Sequence, residues 1–338
     1  MKRRRLGRSG LQVSEICLGT MTFGSMADEA TSRRILDHAV EHGVDFLDVA
    51  EVYPVPPAAE SAGVSEEIVG RWLAGRPRDS VLIATKIAGP AGGWFPAVVR
   101  HGHTALDRHS ITRALDASLR RLGTDYVDLY QTHWPDPDLP IEETLEGLAR
   151  AIDAGKVRAV GCSNETAYGL VKSLWTADVR ALPRFDTIQN NFSLLNRRFE
   201  DALAEVCRRE QVSLLPYSPI AGGVLSGKYL DGARPPGARF AYYAEHSPRT
   251  RAMARRFVNE RTLEATRRFA AIAREAGLSP VTLAVAWSLA HDFVGATIIG
   301  ATDPVQLPDA LAGADVVLSD DVRTACDAVS REILYPMG

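Results

Sequence analysis

The sequence alternates short apolar strands with amphipathic helices and repeats this unit eight times. The predicted strands cover residues 16–18, 46–48, 81–85, 126–130, 157–161, 186–189, 213–217 and 297–300. The predicted helices cover residues 30–42, 66–73, 110–122, 141–154, 166–177, 199–210, 261–276, 280–290 and 305–311. Strands that are apolar on both faces are typical of a parallel sheet covered by helices. Eight such units predict an α/β fold that closes into a (β/α)8 TIM barrel.

The continuity of this pattern predicts the domain organisation. Nothing in the composition marks an internal linker, so residues 1–338 are expected to form one domain. A trailing helix, residues 319–335, is expected to pack outside the barrel. The long segment from Ser218 to about Arg251 reads as irregular. Because connections beyond about 12–15 residues are uncommon, we expect this segment to be functional or disordered.

Charge and apolar content exclude several classes of partner. The formal net charge of −3 gives no electrostatic case for nucleic acid or an anionic membrane. No stretch approaches the roughly 20 apolar residues of a membrane span. The basic run Arg3 to Arg5 precedes no apolar segment, so it favours a solvated first strand over a localisation tag and does not predict a signal peptide. Scattered cysteines without a CxxC pair indicate buried thiols and a cytoplasmic protein.

The residues at the predicted strand ends are mostly polar. They are Gly19, Asp48 with Tyr53, Lys86, His133, Ser163 with Asn164, Gln189, Tyr217 and Gly300. In a parallel barrel these ends form the side where chemistry takes place. Taken singly, the acid could cap a turn, the lysine could be solvated and the histidine could be structural. The joint occurrence of Asp48, Tyr53, Lys86 and His133 on neighbouring strands favours a catalytic site.

These four side chains are suited to proton transfer to a carbonyl oxygen. A free tyrosine has a pKa of about 10 and is a weak acid near neutral pH. The Lys86 ammonium would stabilise the Tyr53 phenolate and lower that pKa, and Asp48 would keep the ammonium charged and in place. His133 can orient the substrate oxygen or share the proton. None of the four groups donates a hydride, so a cofactor must carry the reduction.

The remaining strand ends are suited to a nicotinamide cofactor. Three side chains offer hydrogen bonds for a carboxamide and a fourth offers a flat face for the ring: Ser163, Asn164, Gln189 and Tyr217. In the long segment, Gly222-Gly223 and Gly227-Lys228 would let backbone amides and a cation approach a pyrophosphate. The first strand is not followed by GxGxxG spacing, which disfavours a Rossmann domain and favours a dinucleotide bound on the barrel.

Assembled in this order, the motifs resemble those of the aldo-keto reductase family over about residues 10–318, and most of all its Tas-like branch. The segments that carry the resemblance are Leu18 to Gly24, Asp48 to Tyr53, Ala84 to Lys86, Asp128 to Trp134, Gly155 to Asn164, Gln189-Asn190, Tyr217 to Pro219 and Gly227 to Tyr229. The match is specific because order and spacing agree across seven strands. It implies a (β/α)8 barrel that reduces aldehydes and ketones with NADPH. Its catalytic tetrad would be Asp48, Tyr53, Lys86 and His133, with Tyr53 as general acid.

The resemblance also implies a set of cofactor contacts. They are Gly19, Thr20, Met21, Asp48, Ser163, Asn164, Gln189, Tyr217, Ser218, Pro219, Gly222, Gly227, Lys228, Gly300, Thr302 and Gln306. One departure bears on the choice of cofactor. Many members carry Arg or Lys near Asp303 to hold the 2′-phosphate, which an acid would repel. NADPH is expected on the family pattern, with Lys228, Arg234 and Arg239 as compensation, and NADH stays possible.

The substrate is predicted to be a small hydrophobic or aromatic aldehyde or ketone. Aromatic residues in the loops near the site either line an apolar pocket or pack the loops: Phe23, Trp94, Phe95, Trp134 and Phe192. The sequence shows no arginine clamp for a substrate carboxylate or phosphate. It does not predict an oligomeric state.

Two other functions are open to test from the sequence. A regulatory or sensor subunit would bind NADP(H) with little turnover, and loss of part of the tetrad would be its mark. A metal-dependent barrel hydrolase would use Asp48 and His133 as ligands, but it needs more histidines at strand ends. The pair His101 and His103 lies instead in a loop after the third strand. We therefore expect no bound metal.

Overall fold

The computed structural model describes residues 1–90 and 98–337. Its strands in these ranges are β1 Arg3–Arg5, β2 Gln12–Ser14, β3 Ile16–Gly19, β4 Phe46–Asp48, β5 Leu82–Ile87, β6 Val127–Thr132, β7 Val157–Ser163, β8 Thr187–Gln189, β9 Ser213–Leu214 and β10 Thr297–Ile299. Strands β3 to β10 form one parallel sheet in the order β10-β3-β4-β5-β6-β7-β8-β9. Parallel bridges from Leu214 to Val294 and from Tyr217 to Ile298 join its two edges. The sheet therefore closes, and the predicted (β/α)8 fold is confirmed.

Helices follow the barrel strands as the sequence pattern predicts. Those in the described ranges are α1 Glu29–Glu41, α2 Val64–Leu73, α3 Arg108–Leu122, α4 Ile141–Asp153, α5 Ala167–Arg180, α6 Leu203–Glu210, α7 Arg239–His246, α8 Pro248–Phe257, α9 Glu260–Glu275, α10 Pro280–Leu289, α11 Leu307–Ala312 and α12 Asp320–Glu332. Their ends have local chemical causes. At the start of α3 the Asp107 carboxylate accepts a hydrogen bond from Ser110 N at 2.8 Å, and the helix ends at Gly123 with a φ of 65°.

The segment after Ser218 is not irregular throughout, which corrects the expectation from its sequence. It contains α7 and the start of α8, and both helices pack against the turn Ala221–Ser226. The start of α8 carried a readable signal. Ser247 Oγ accepts a hydrogen bond from Thr250 N at 3.2 Å, and Pro248 suits the first helical position because its φ is fixed.

Apolar side chains fill two regions, which explains why the barrel strands are apolar on both faces. One cluster lies inside the barrel and includes Cys17, Phe46, Ala84, Leu129 and Ala159. The larger cluster lies between the strands and the surrounding helices. A sheet covered on both sides in this way has few positions for polar side chains. Several of the polar side chains, among them Asp48, Lys86 and Gln189, lie at or near the carboxyl ends of their strands.

The N-terminal residues close the other end of the barrel. Strands β1 and β2 pair in antiparallel fashion, and Leu6, Leu11 and Val13 belong to the same apolar cluster as the barrel interior. Arg4 is held there by Glu15 at 2.9 Å. Because this hairpin covers the amino ends of the strands, access to the interior is from their carboxyl ends.

Two further features concern the expectations for thiols and membranes. All four cysteines are buried as free thiols. Within the described part of the chain, no single helix is long and apolar enough to cross a membrane. Helices α9 and α10 pass that test only as a pair, and their axes are bent by 91° at the break between them. Helix α12 packs against α9.

Candidate active site

Lys86 contacts both Asp48 and Tyr53 at the carboxyl ends of β4 and β5. Asp48 is the last residue of β4, and the side chain of Lys86 in β5 reaches across to it. Lys86 Nζ donates to Asp48 Oδ2 at 2.6 Å, to the Val49 carbonyl at 2.8 Å and to Tyr53 Oη at 3.2 Å. Each of the three ammonium hydrogens thus has an acceptor, which fixes the group in one position.

Burial and charge together set the protonation of this cluster. Burial by itself lowers the pKa of Lys86, but Asp48 and then Tyr53 outweigh it, so the pKa is raised and the group is an ammonium. For Tyr53, burial raises the pKa most; Lys86 lowers it and Asp48 raises it, and the net pKa is raised. This net direction is opposite to the one expected from sequence. The expectation considered the ammonium alone, without burial of the phenol beside a carboxylate.

His133, the fourth residue of the predicted catalytic group, lies beside Tyr53. Its ring makes an edge contact with the Tyr53 ring at a centroid distance of 5.7 Å and stacks on Trp134 at 3.9 Å. The Nδ1 atom is buried and makes no hydrogen bond to the described residues. Burial, and then the charge of Lys86, hold the pKa of His133 well below its usual value. The imidazole is therefore neutral at neutral pH.

The side chains expected near a carboxamide lie together at the ends of β7, β8 and β9. Tyr217 Oη donates to Asn164 Oδ1 at 2.8 Å, and Asn164 Nδ2 donates to the His133 carbonyl at 2.9 Å. Ser163 Oγ donates to the Gln189 carbonyl at 2.7 Å. Asn164 has a φ of 56°, in the left-handed region that asparagine tolerates better than most residues. Through these contacts the Asn164 side chain is connected to Tyr217 and to the backbone of His133.

The Gln189 side chain has a contact that the sequence did not suggest. Its Nε2 donates to Asp48 Oδ1 at 2.8 Å. A second amide, Gln131 Nε2, lies 3.4 Å from the same oxygen. Gln131 was missed by sequence reasoning, although a polar residue two positions before His133 was a readable signal.

The two glycines of the Ala221–Ser226 turn make a close approach to the backbone possible. Gly222 and Gly223 have φ values of 63° and 96°. A Cβ on Gly223 would lie 2.8 Å from Lys228 Cε, and one on Gly222 would lie 2.6 Å from the Phe240 ring. Burial, and then the charge of Arg239, lower the pKa of Lys228. The glycine turn and two cations, Lys228 and Arg239, are thus brought together beside α7.

The segment that follows β10 has a well-defined local structure of its own. Thr302 N donates to Gln306 Oε1 at 3.0 Å, and Gln306 Nε2 donates to Thr302 Oγ1 at 3.0 Å. The exposed Asp303 carboxylate accepts a hydrogen bond from Val305 N at 3.0 Å and caps the short helical turn. Asp303 therefore has a structural explanation that is independent of any cofactor. Gly300, just after the strand, is exposed.

The other residues implied by the resemblance surround Asp48 and the long segment. Gly19 packs tightly, since a Cβ there would lie 2.8 Å from Ile298 Cγ2. The buried Thr20 hydroxyl donates to the Asp48 carbonyl at 3.0 Å, so this side chain holds the strand end. The Met21 carbonyl accepts from Val55 N at 2.9 Å. Ser218 has a φ of 56° and leads through the buried Pro219 into the glycine turn.

The structure separates the roles of the loop aromatics. Phe23 and Phe192 are fully buried, and Phe192 packs on Trp287 at a ring distance of 4.9 Å, so both belong to the core. Trp134 is half-buried and stacked on His133. Trp94 and Phe95 lie outside the described residues. Within the described ranges, no group of three or more His, Cys, Asp or Glu side chains is arranged to hold a metal ion.

A buried ion pair that the sequence did not reveal braces the turn between Asp48 and Tyr53. Glu51 and Arg100 form this pair, with exposed side-chain fractions of 4% and 11%. Glu51 Oε1 also accepts from Ala88 N at 2.6 Å, and Arg100 Nη2 donates to the Ala88 carbonyl at 2.7 Å. The pair ties the turn after β4 to the chain on either side of residues 91–97. Its partners are far apart in sequence, which is why no local pattern signals it.

Comparison with known proteins agrees with the fold. The model of the aldo/keto reductase family matches residues 15–331. The closed parallel barrel and this match together define an NAD(P)H-dependent oxidoreductase of the (β/α)8 type. The chain belongs to the aldo/keto reductase family.

Relatives with different names share most of the chain. The chain is 42% identical to Protein tas of Escherichia coli, with 99% of each covered. It is 34% identical to the uncharacterized oxidoreductase YrpG of Bacillus subtilis, over 94% of this chain and 92% of that protein. It is 33% identical to a probable voltage-gated potassium channel subunit beta of Arabidopsis thaliana, again over 94% and 92%. The family thus includes names from more than one functional class.

Proposed function

We propose that the protein reduces a small aldehyde or ketone to an alcohol with NADPH, and that Tyr53 is the general acid. The observation that carries this proposal is the 3.2 Å contact between Lys86 Nζ and Tyr53 Oη beside the buried Asp48. An ion pair alone would be compatible with a structural role. A phenol that accepts a hydrogen bond from the ammonium of that pair can act as a proton donor, because the ammonium stabilises the phenolate that remains.

Each member of the pair has its own task in this mechanism. Tyr53 is protonated at neutral pH because its pKa is raised, so it can give its proton to the developing alkoxide. The Lys86 ammonium stabilises the phenolate that remains, and Asp48 keeps the ammonium charged and directed at the phenol. The bound nicotinamide would supply the hydride.

His133 is proposed to orient the carbonyl oxygen rather than to donate the proton. Its imidazole is neutral at neutral pH because its pKa is held well below the usual value. A neutral ring still carries one N–H donor, and its edge contact with Tyr53 keeps it beside the phenol. The stacked Trp134 limits rotation of the ring. Positioning by such a donor reduces the entropy cost of reaching the reactive geometry.

Several features support a dinucleotide at the strand ends. The Asn164 side chain is fixed by Tyr217, and both lie beside Ser163 and Gln189. The left-handed backbone at Gly222 and Gly223 packs against Phe240 and lies beside Lys228 and Arg239, whose positive charges suit the approach of phosphate groups. We propose that Ser163, Asn164, Gln189 and Tyr217 hold the nicotinamide end. The turn from Ser218 to Lys228 and the segment from Gly300 to Gln306 would hold the rest.

The preference for NADPH over NADH is proposed to rest on Lys228 and Arg239. They lie close enough for the charge of Arg239 to lower the pKa of Lys228, and they flank the double glycine. A 2′-phosphate would be attracted by such a pair of cations. Asp303 opposes this preference, but its carboxylate is exposed and committed to its own turn, which weakens its repulsion at physiological salt.

The test is NADPH and NADH oxidation measured side by side against a panel of carbonyl compounds. We expect NADPH to be consumed with aromatic aldehydes faster than with short charged aldoses, since Trp134 offers an aromatic surface next to His133. Tight NADPH binding without consumption for any carbonyl would instead support a regulatory subunit. Undiminished turnover by Tyr53→Phe would contradict the assignment of the general acid.

A further inference from the structure

A buried amide lies next to Lys86 of the proposed catalytic group. Gln131 is fully buried on the inner side of β6, where Leu129 contributes to the apolar interior. In the strand register it stands opposite Lys86 on one side and Gly161 on the other. A buried amide without partners is destabilising relative to an apolar residue of the same shape. Its hydrogen bonds therefore have to compensate for the burial of the amide.

Those hydrogen bonds connect Gln131 to Asp48 and Gln189. Asp48 Oδ1 lies 2.8 Å from Gln189 Nε2 and 3.4 Å from Gln131 Nε2, while Gln131 Oε1 lies 3.4 Å from Gln189 Nε2. Two amides therefore donate to one carboxylate oxygen. Gln189 makes the short hydrogen bond and Gln131 makes the long one. Gly161 is packed between Thr187 and Gln131, since a Cβ there would lie 2.1 Å from Thr187 Oγ1 and 3.3 Å from Gln131 Cγ.

We propose that Gln131 is a positioning residue that takes over the hydrogen bond to Asp48 when Gln189 turns to the carboxamide of the cofactor. This inference rests on the proposed function, because it requires a nicotinamide ring next to Gln189. A shift of about 0.5 Å would bring Gln131 Nε2 to an ordinary hydrogen-bond distance from Asp48 Oδ1. The buried carboxylate then keeps a donor in both states of the site.

The exchange matters because Asp48 is buried. Its carboxylate is 3% exposed, and Oδ2 is already committed to Lys86 at 2.6 Å. If Gln189 turned away and no other donor took its place, the buried Asp48 carboxylate would lose a hydrogen bond. The affinity for the cofactor would then be lower. Gln131 removes the cost without touching the cofactor or the substrate.

The experiment compares two ligands on the full-length chain by calorimetry. NADPH carries the carboxamide, whereas adenosine 2′,5′-bisphosphate carries the nucleotide end without it. Gln131→Met keeps the length of the side chain and removes the amide. We expect this variant to bind NADPH about tenfold more weakly and to bind the bisphosphate like wild type. Tyr130→Phe is the matched control, since its hydroxyl is buried without a described partner, and it should leave both dissociation constants unchanged.

The same substitution in a Gln189→Met variant distinguishes an exchange of hydrogen bonds from a loss of packing around Gln131. With Gln189→Met already present, no amide leaves Asp48 on cofactor binding, so adding Gln131→Met should weaken NADPH no further. Wild-type NADPH affinity in Gln131→Met, or equal weakening of both ligands, would overturn the inference. Failure of the wild-type protein itself to bind NADPH would overturn the proposed function instead, and the two failures are therefore distinguishable.

Discussion

Asp48 and Lys86 form an ion pair 2.6 Å apart in which neither side chain reaches solvent to more than 3%. Removing two charges from water costs several kcal/mol per ion, and their attraction often only balances that cost. A contribution to stability alone therefore does not explain why the chain buries such a pair. The phenol of Tyr53, 3.2 Å from the ammonium, gives it a chemical reason.

Replacement of Lys86 should separate the stabilising role of the pair from its catalytic role. Lys86→Met leaves Asp48 as a buried anion, so we expect a loss of roughly 3–5 kcal/mol in the free energy of unfolding and at least a 100-fold (about 3 kcal/mol) loss of kcat. In Lys86→Met with Asp48→Asn, most of the stability should return and the activity should not. Chemical denaturation and steady-state kinetics on the same preparations test this, and recovered activity in the double variant would contradict it.

The pH profile of reduction should reflect the raised pKa of Tyr53. A general acid acts while protonated, so activity is present below the pKa of Tyr53 and is lost as pH rises through it. We expect kcat/KM to fall only above about pH 10, the ordinary value for tyrosine. Because the pKa of His133 is well below its usual value, no acid limb should appear near neutrality. An alkaline limb near pH 8 would be inconsistent with this protonation scheme.

Removal of Arg100 should destabilise the turn that carries Tyr53. Arg100→Met leaves the buried Glu51 without its cation, and the free energy of unfolding at about pH 8 should fall by roughly 3–5 kcal/mol. Burial already raises the pKa of Glu51 in the presence of Arg100. Loss of the arginine raises it further, so Glu51 is protonated as pH falls, and the defect should be smaller at about pH 5. Urea unfolding at both pH values measures this, with Glu51→Gln added to Arg100→Met as the variant that should restore stability.

Cofactor preference can be tested with two arginines of the same segment. Arg239 lies beside Lys228 and the double glycine, whereas Arg234 is exposed. Arg239→Leu should reduce the ratio of kcat/KM for NADPH over NADH by about tenfold, the effect of one lost charge-assisted hydrogen bond to a phosphate. Arg234→Leu is the control and should change the ratio little. Equal effects of both substitutions would point to diffuse electrostatics instead of a local site.

The fold was largely predictable because it is specified by local and periodic patterns. Eight apolar strands, helix periodicity and caps such as Asp107 and Gly123 act over a few residues, and each can be recognised in the sequence. The contact of Asp48, Lys86 and Tyr53 was predictable once a barrel was assumed, because the carboxyl ends of neighbouring parallel strands lie side by side.

What could not be predicted depends on long-range contacts and on burial. The net direction of the Tyr53 pKa follows from how deeply the phenol is buried, which no motif encodes. The Glu51–Arg100 pair and the two amides on Asp48 join residues that are distant in sequence. Helices α7 and α8 were missed; α7 begins without a side-chain cap just after Pro235-Pro236-Gly237, a sequence that indicates a loop.

The central claim is that Tyr53 delivers the proton, and one variant tests it directly. Tyr53→Phe removes only the hydroxyl, so the ring contact with His133 and the apolar packing are kept. The account predicts that this variant binds NADPH with nearly the wild-type dissociation constant while kcat for an aromatic aldehyde falls by at least about 100-fold. Wild-type turnover by Tyr53→Phe, with NADPH bound normally, would contradict it.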